Sequence, residues 1–110
     1  MKRGEEFYIQ KDCVLWFRAN YKNYLIFSVP SEATHNNVNY YKGLGLISGV
    51  SDTIVVLPNK VLFVEFKSSA GRQSQPQKEF QHTIESLGYE YHLIRSVEAF
   101  KELIKKQKIN

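Results

Sequence analysis

The feature that most constrains the fold is a pair of short apolar runs, TIVVL at positions 53–57 and VLFV at positions 61–64. Both runs are rich in β-branched and aromatic residues, and the turn residues Pro58 and Asn59 separate them, so they predict a β-hairpin. Apolar side chains alternate onto both faces of this hairpin, which therefore has to be covered on both sides. The pattern predicts an α/β fold in which helices flank a central sheet.

Charged residues stand at the open end of this hairpin. Asp52 directly precedes the first run, and Glu65 and Lys67 follow the second. A tight turn between the runs would place Asp52 opposite Glu65, with Cβ atoms ~5 Å apart. Lys67 projects from the same face as Glu65, because strand side chains repeat every second residue. Two carboxylates this close repel each other, so the arrangement favours a bound divalent cation and indicates metal-dependent phosphodiester chemistry.

The register depends on the length of the connection between the runs. A three-residue loop would shift the register by one and turn Asp52 to the opposite face from Glu65. Because Pro58 cannot adopt the positive φ of the commonest two-residue turns, a four-residue loop at 57–60, which keeps the favourable register, is easier to build. The simpler alternative is that Asp52 only starts a strand, and that Glu65 forms an ordinary ion pair with Lys67.

Composition predicts one folded domain over residues 1–110, with 43% hydrophobic and 14% aromatic content. No apolar run approaches the ~20 residues of a membrane span, and no apolar segment follows the opening MKRGEE, so we expect neither an anchor nor a signal peptide. Cys13 is the single cysteine, which excludes an internal disulfide, and we expect it to be buried. We expect an intracellular protein, in the cytoplasm of a bacterial or virus-infected cell. The net charge of +4 modestly favours a polyanionic partner.

Further elements precede the hairpin. Apolar residues at helical spacing predict a helix over about 5–20, and a short apolar run predicts a strand at 25–29. The polar connection at 31–42 is expected to lack regular structure. Three glycines at 43–49 suggest a close approach of the backbone to another part of the chain.

The elements after the hairpin begin with a helix whose start is sharply defined. Ser74 and Gln77 form a capping-box pattern, the helix is expected to end at Gly88, and Leu87 is expected on its buried face. The remaining elements are a strand at 89–94 and a helix from Ser96 to about Lys106. The predicted order is helix, strand, strand, strand, helix, strand, helix, with a parallel crossover through the helix after Ser74.

This order of elements and polar residues resembles the PD-(D/E)xK nuclease superfamily and, within it, the virus-type replication-repair nuclease (VRR-NUC) domain family. The matching segments span nearly the whole chain; they are Glu6-x-x-x-Gln10, GVSD at 49–52, VEFK at 64–67 and Gly71-x-x-Ser74-x-x-Gln77-x-x-Phe80. Ser51 stands where the superfamily name has proline. The resemblance implies a restriction-endonuclease-like core, a mixed central sheet flanked by helices in the order α-β-β-β-α-β-α.

The resemblance also implies a set of metal ligands. Asp52 and Glu65 would be the principal ligands, and the backbone carbonyl of Phe66 would add a third oxygen. Glu6 would approach from the first helix, directly or through a water. Oxygen donors of this kind suit Mg²⁺ or Mn²⁺. Glu6 has an alternative role, because a carboxylate also stabilises the positive end of its own helix.

Two further residues are implied as catalytic. Lys67 would orient the attacking water or stabilise charge on the phosphate. Gln77 would hold the site from the following helix, although it is also the capping-box residue and the two roles could compete for one side chain. The chain's histidines lack metal-ligand spacing and are not expected to be catalytic; they are His35, His82 and His92.

By resemblance, the activity is Mg²⁺- or Mn²⁺-dependent endonucleolytic hydrolysis of DNA in replication or repair. Small stand-alone members of the family resemble junction-resolving enzymes, which act as dimers because a four-way junction needs two symmetric cuts. We therefore expect branched or Holliday-type DNA as the substrate and a homodimer. Arg72, Lys78 and Lys42 are candidate DNA contacts, although a solvated loop arginine is common. Two alternatives stay open: a non-catalytic DNA-binding or assembly module of the same fold, and a nuclease that acts on flaps or single strands.

Overall fold

The structure, a computed structural model, describes residues 4–30 and 38–109. The helices and strands in this part of the chain are, in order, α1 (Glu5–Asn20), β1 (Leu25–Ser28), α2 (Val38–Gly43), β2 (Thr53–Leu57), β3 (Lys60–Phe66), α3 (Gln75–Ser86), β4 (Glu90–Ile94) and α4 (Val97–Lys106). None of the helices in these described residues is both long and apolar enough to cross a bilayer.

The central hairpin, β2 and β3, has the register that brings Asp52 opposite Glu65. Leu57 pairs with Lys60, and the antiparallel ladder continues to Thr53 at the open end. The connection is a two-residue turn, so the four-residue loop expected from the sequence is wrong. Proline is accommodated because the positive φ, 59°, falls on Asn59, the second turn residue, while Pro58 occupies the first.

The four strands form one mixed sheet in the order β1-β2-β3-β4. The pairs β1–β2 and β2–β3 are antiparallel, and β3–β4 is parallel, with α3 as the crossover between them. Because β3 and β4 run in the same direction and β2 runs in the opposite one, the C-terminal ends of β3 and β4 lie beside the N-terminal end of β2. The predicted α/β class, with a mixed central sheet flanked by helices, is confirmed.

One face of the sheet packs against α1 and α4 and forms the hydrophobic core. Cys13 and Phe17 of α1 and Phe100 of α4 are fully buried against this face. Phe100 lies 5.9 Å, between ring centroids, from Phe66 of β3. Burial raises the pKa of the Cys13 thiol to about 12, which makes it an inert apolar side chain, as expected from the sequence.

The opposite face of the sheet packs against α3. Phe80 of α3 contacts Phe63 of β3, with ring centroids 5.9 Å apart. Leu87 was expected on the buried face, but it is 66% exposed because the helix ends at Ser86 and Leu87 is already the C-cap. Phe27 of the edge strand β1 is 43% exposed, so the prediction that both sheet faces are covered fails at this edge.

The connection between β1 and β2 contains a helix that the sequence pattern did not indicate. The expected irregular stretch at 31–42 is partly wrong, because positions 38–42 belong to α2; positions 31–37, with His35, lie outside the described residues. None of the α2 residues is buried, so the helix leaves no apolar periodicity in the sequence. In the described chain the order is therefore α-β-α-β-β-α-β-α.

Candidate active site at the open end of the hairpin

At the open end of the hairpin, the Glu65 carboxylate accepts from the backbone of Asp52, and the Asp52 carboxylate accepts from the backbone of Phe66. The backbone N–H of Asp52 donates to Glu65 Oε1 at 3.3 Å, and the backbone N–H of Phe66 donates to Asp52 Oδ2 at 3.2 Å. The hydroxyl of Thr53 donates to Asp52 Oδ1 at 3.0 Å. These neutral donors fix both carboxylates through the register of the hairpin, without an ion pair.

Glu6 joins these two carboxylates from the first turn of α1. Glu6, Asp52 and Glu65 each offer one carboxylate oxygen, and these oxygens lie within 4.8 Å of one another. The start of α1 is held against the loop after β3 by Glu5, whose Oε1 accepts from the backbone N–H and the hydroxyl of Ser69, at 3.2 and 3.3 Å. Glu5 therefore anchors the start of the helix, and the adjacent Glu6 faces the site.

Gln77 fills both roles that the sequence left in competition. Its Oε1 accepts from the backbone N–H of Ser74 at 2.8 Å, and the Ser74 hydroxyl accepts from the Gln77 backbone N–H at 3.3 Å, which completes the capping box. Its Nε2 donates to Glu65 Oε2 at 3.2 Å. The amide has one acceptor and one donor end, so the two roles use different atoms and do not compete.

Gly49 fixes the start of α3 against the segment that carries Asp52. It has φ of +81°, and a Cβ at this position would lie 2.2 Å from the backbone carbon and oxygen of Pro76. Only glycine fits such a contact. The close approach expected for the glycine-rich stretch is thus confirmed at Gly49, and it holds Gln77 beside the carboxylates.

The pKa values of the two carboxyl groups, Asp52 and Glu65, are both raised. Burial raises the pKa of Asp52 to about 6. Burial, followed by the charge of the adjacent Asp52, raises the pKa of Glu65 to about 8, and the positive charge of Lys67 offsets only part of this. Without a bound cation the pair therefore retains a proton near neutral pH.

Lys67 lines the same cleft as the carboxylates. The cleft has a volume of ≈ 440 Å³, and its lining includes Glu6, Gln10, Asp52, Glu65, Lys67 and Gln77. Within residues 4–30 and 38–109, the lysine that forms an ion pair is Lys60, with Glu90, so the alternative of an ordinary Glu65–Lys67 ion pair is wrong. The ammonium is therefore not engaged by the adjacent carboxylate.

Ser51, at the position where the superfamily name has proline, is fully buried. Across the described ranges, its Oγ is the buried side-chain atom that has no hydrogen-bond partner. A buried hydroxyl without a partner contributes no hydrogen bond to the stability of the site.

The fold of the chain is similar to that of solved structures. No family model and no curated protein matches the sequence. A solved structure described as a "VRR_NUC domain protein" superposes with a TM-score of 0.78 at 18% identity, covering 96% of this chain and 89% of the other. A second, described as a "VRR_NUC domain", gives 0.68 at 21% identity, covering 94% and 97%. The chain has the VRR-NUC fold.

Within this VRR-NUC fold, the candidate DNA-binding residues lie apart from the cleft. Arg72, Lys78 and Lys42 are all exposed, and none of them belongs to the cleft lining.

The structure brings five of the predicted site residues into one cleft: Asp52, Glu65, Lys67, Gln77 and Glu6. Their roles, and that of the Phe66 carbonyl, stay predictions.

Arg95 is a structural residue of the site that the sequence reasoning missed. It follows β4, and its Nη1 donates to the carbonyls of Ser68 and Gly71 at 2.7 and 2.6 Å. These bonds hold the loop after Lys67. The available signal was the parallel crossover itself, because a polar residue directly after β4 must lie beside the end of β3.

Proposed function

We propose that the chain is a metal-dependent endodeoxyribonuclease that hydrolyses DNA phosphodiester bonds, with residues 1–110 forming the nuclease domain. The observation that carries this proposal is the convergence of the Glu6, Asp52 and Glu65 carboxylates within 4.8 Å, in a cleft that Lys67 also lines. Neutral donors hold the Asp52 and Glu65 carboxylates, and a divalent cation would offset the repulsion among the three acids.

The donor set fits Mg²⁺ or Mn²⁺. It consists of carboxylate oxygens, which these hard cations prefer, and the raised pKa values of Asp52 and Glu65 reflect repulsion and burial that a cation would offset. Asp52 and Glu65 would hold the ion, with Glu6 and the Phe66 carbonyl completing its shell. Such an ion, when bound, polarises the phosphate and lowers the pKa of water.

The two remaining residues have different roles: Gln77 orients a metal ligand, and Lys67 supplies positive charge near the phosphate. Gln77 keeps the Glu65 carboxylate in one orientation through its 3.2 Å hydrogen bond. Lys67 places an ammonium in the cleft, where it can donate to a non-bridging phosphate oxygen or orient a water, and where positive charge stabilises the charge that develops in the transition state.

For the substrate, we propose branched DNA of the four-way junction type, cut by a homodimer inside the cell during replication or repair. The support is that small members of the family that this fold resembles are similar to junction-resolving enzymes, which act as dimers because a four-way junction needs two symmetric cuts. The net charge of +4 favours DNA, and Arg72, Lys78 and Lys42 are the proposed contacts to phosphates outside the cleft.

A cleavage panel tests these proposals. Labelled four-way junction, flap, duplex and single-stranded DNA are incubated with Mg²⁺, Mn²⁺ or EDTA, and light scattering gives the molar mass in solution. We expect a dimer that cuts the junction fastest, with no cutting in EDTA or by Asp52→Asn. A monomer that prefers flaps would overturn the junction assignment. A protein that binds DNA and cuts none of these substrates would indicate a non-catalytic DNA-binding or assembly module.

A further inference from the structure

A second groove continues from the cleft along α1. Its lining includes Phe7, Lys11, Val14, Leu15 and Arg18 of the helix and Phe27 of the edge strand, and its volume is ≈ 320 Å³. The helix residues recur every three or four positions, so they form one stripe on α1. From Phe7 to Arg18 this stripe is roughly 16 Å long at 1.5 Å per residue.

The groove and the cleft are continuous. Phe7, Gln10 and Ser28 line both of them. The stripe begins one residue after Glu6, which faces the candidate metal site. A strand whose phosphate lies in the cleft would therefore extend into the groove.

The groove combines aromatic surface with positive charge. Phe7 and Phe27 are 41% and 43% exposed. Lys11 is exposed, and Arg18 is fixed at the far end because its Nη2 donates to the Ile26 carbonyl at 2.9 Å. Among the described residues, none that lines this groove carries a carboxylate, in contrast to the three that line the cleft. Aromatic rings with adjacent cations are the elements that bind single-stranded nucleic acid, by stacking on bases and by pairing with phosphates.

We infer that this groove binds unpaired nucleotides of the DNA substrate next to the scissile phosphate, with Phe7 and Phe27 contacting bases and Lys11 and Arg18 contacting phosphates. The inference rests on the proposed nuclease function and specifies which part of the DNA substrate the groove would bind. A base inside a duplex has its faces covered by its neighbours, so only an unpaired base offers a face to a phenylalanine ring. Among branched substrates, the groove therefore selects those in which nucleotides beside the cut become unpaired, as at an opened branch point.

The first test measures equilibrium binding in EDTA, by fluorescence anisotropy, of labelled single-stranded DNA and of a blunt duplex of the same sequence. Phe27→Leu keeps an apolar side chain of similar size but removes the ring. We expect it to weaken single-strand binding on the order of tenfold or more, with little effect on the duplex, and we expect Phe27→Tyr to retain the affinity. Tyr89→Leu is the control, since Tyr89 is a 54% exposed aromatic residue at the start of β4, at the opposite end of the sheet.

The second test measures the salt dependence of single-strand binding. Lys11→Ala should reduce the slope of log affinity against log salt by roughly 0.7, the value for one phosphate of a single strand. Lys105→Ala, which removes an exposed cation on α4, should leave the slope unchanged. Equal slopes for Lys11→Ala and the unmodified chain would show that Lys11 does not contact a phosphate.

The outcomes separate this inference from the nuclease proposal. If the unmodified chain cuts DNA with Mn²⁺ but Phe27→Leu binds single strands as tightly, the groove is not the binding site and the nuclease stands. If Phe27→Leu loses single-strand binding and the unmodified chain cuts nothing, the groove stands and the nuclease does not. If Phe27→Leu lowers the molar mass in light scattering, with thermal melting unchanged, the groove is an interface between copies and the inference is overturned.

Discussion

The pKa values of acidic residues are shifted in opposite directions at the two ends of the β2–β3 hairpin. At the turn end, Glu90 at the start of β4 accepts from Lys60 Nζ and lies against His92 Nε2, each at 2.9 Å, and the hydrogen bond with His92, followed by that with Lys60, lowers its pKa. At the open end, Asp52 and Glu65 are hydrogen-bonded by N–H and amide groups, and burial raises the pKa of both.

The two ends of the hairpin therefore differ in whether an acidic side chain has a cationic partner within the protein. The acid at the turn end, Glu90, is paired with Lys60 of its own chain, so its charge is balanced within the protein. The acids at the open end are oriented but not neutralised, which costs stability unless a proton or a cation is bound. The same sequence supplies lysines at both ends, yet only Lys60 is used in an ion pair within the described residues. The acids at the open end could therefore hold a metal ion.

The largest expected difference between the two ends is in cleavage. Asp52→Asn and Glu65→Gln each remove a proposed ligand while keeping size and polarity. We expect each to lower the cleavage rate roughly 10³-fold or more, because bound metal contributes several kcal/mol of transition-state stabilisation. Glu90→Gln, the matched change at the turn end, should leave the rate unchanged. Single-turnover cleavage with Mn²⁺ measures all three. Full activity in either open-end variant would end the proposed assignment.

Lys67→Ala should give the next largest effect on cleavage. A cation placed against the phosphate is worth roughly 10²–10³ in turnover. Metal affinity, measured by calorimetry, should change little or increase, because a positive charge beside the site has been removed. Lys60→Ala at the turn end is the control and should alter neither quantity. If Lys67→Ala lost metal binding together with activity, Lys67 would be a structural partner of the carboxylates instead.

A pair of glycine substitutions tests how firmly the open end depends on α3. Gly49→Ala introduces a Cβ 2.2 Å from the Pro76 backbone and also strains a φ of +81°, so we expect a loss of about 2 kcal/mol or more in unfolding free energy and weaker metal binding as Gln77 moves. Gly45→Ala has the φ strain, at +113°, with nothing within 4 Å of its Cβ. Denaturant unfolding of both variants isolates the contact. Equal losses would mean that the Gly49 contact does not position α3.

The sequence predicted the fold where hydrophobic periodicity and turn chemistry agree. The hairpin, α1, the capped start of α3 at Ser74 and the final helix all follow from such local signals. It failed where the deciding interaction is not local. The helix α2 buries no side chain, so its sequence has no apolar stripe, and the exposure of Leu87 depends on where α3 ends.

The candidate site was predictable to the extent that it follows from strand register. Once β2 and β3 pair, Asp52 and Glu65 must meet, and the alternation of strand side chains puts Lys67 on the same face. The parallel crossover indicates where Arg95 lies, but the hydrogen bonds of Gln77 and Arg95 could be resolved only in three dimensions. The first depends on which end of an amide faces which partner, and the second on a hydrogen bond to a loop distant in sequence.

The smallest effect we expect is on the pH dependence of stability in EDTA, where the two ends should respond with opposite signs. Glu65 has a raised pKa in the folded state, so between about pH 4 and its raised value of about 8 the folded chain binds more protons than the unfolded one. The stability from this group is fully present below its unfolded pKa and is lost as the pH rises through 8. Glu65→Gln should flatten that decline.

Glu90 has a lowered pKa, so its contribution is present above the unfolded pKa and is lost as the pH falls; it should be small because the side chain is 40% exposed to solvent. Thermal or denaturant unfolding of the unmodified chain, Glu65→Gln and Glu90→Gln at pH 5 and pH 8.5 measures both signs. Adding Mn²⁺ should stabilise the unmodified chain more at pH 8.5 than at pH 5, because at low pH the ion must displace a proton that the acid pair holds. If Glu65→Gln and Glu90→Gln changed the pH profile in the same direction, the contrast between the two ends of the hairpin would not hold.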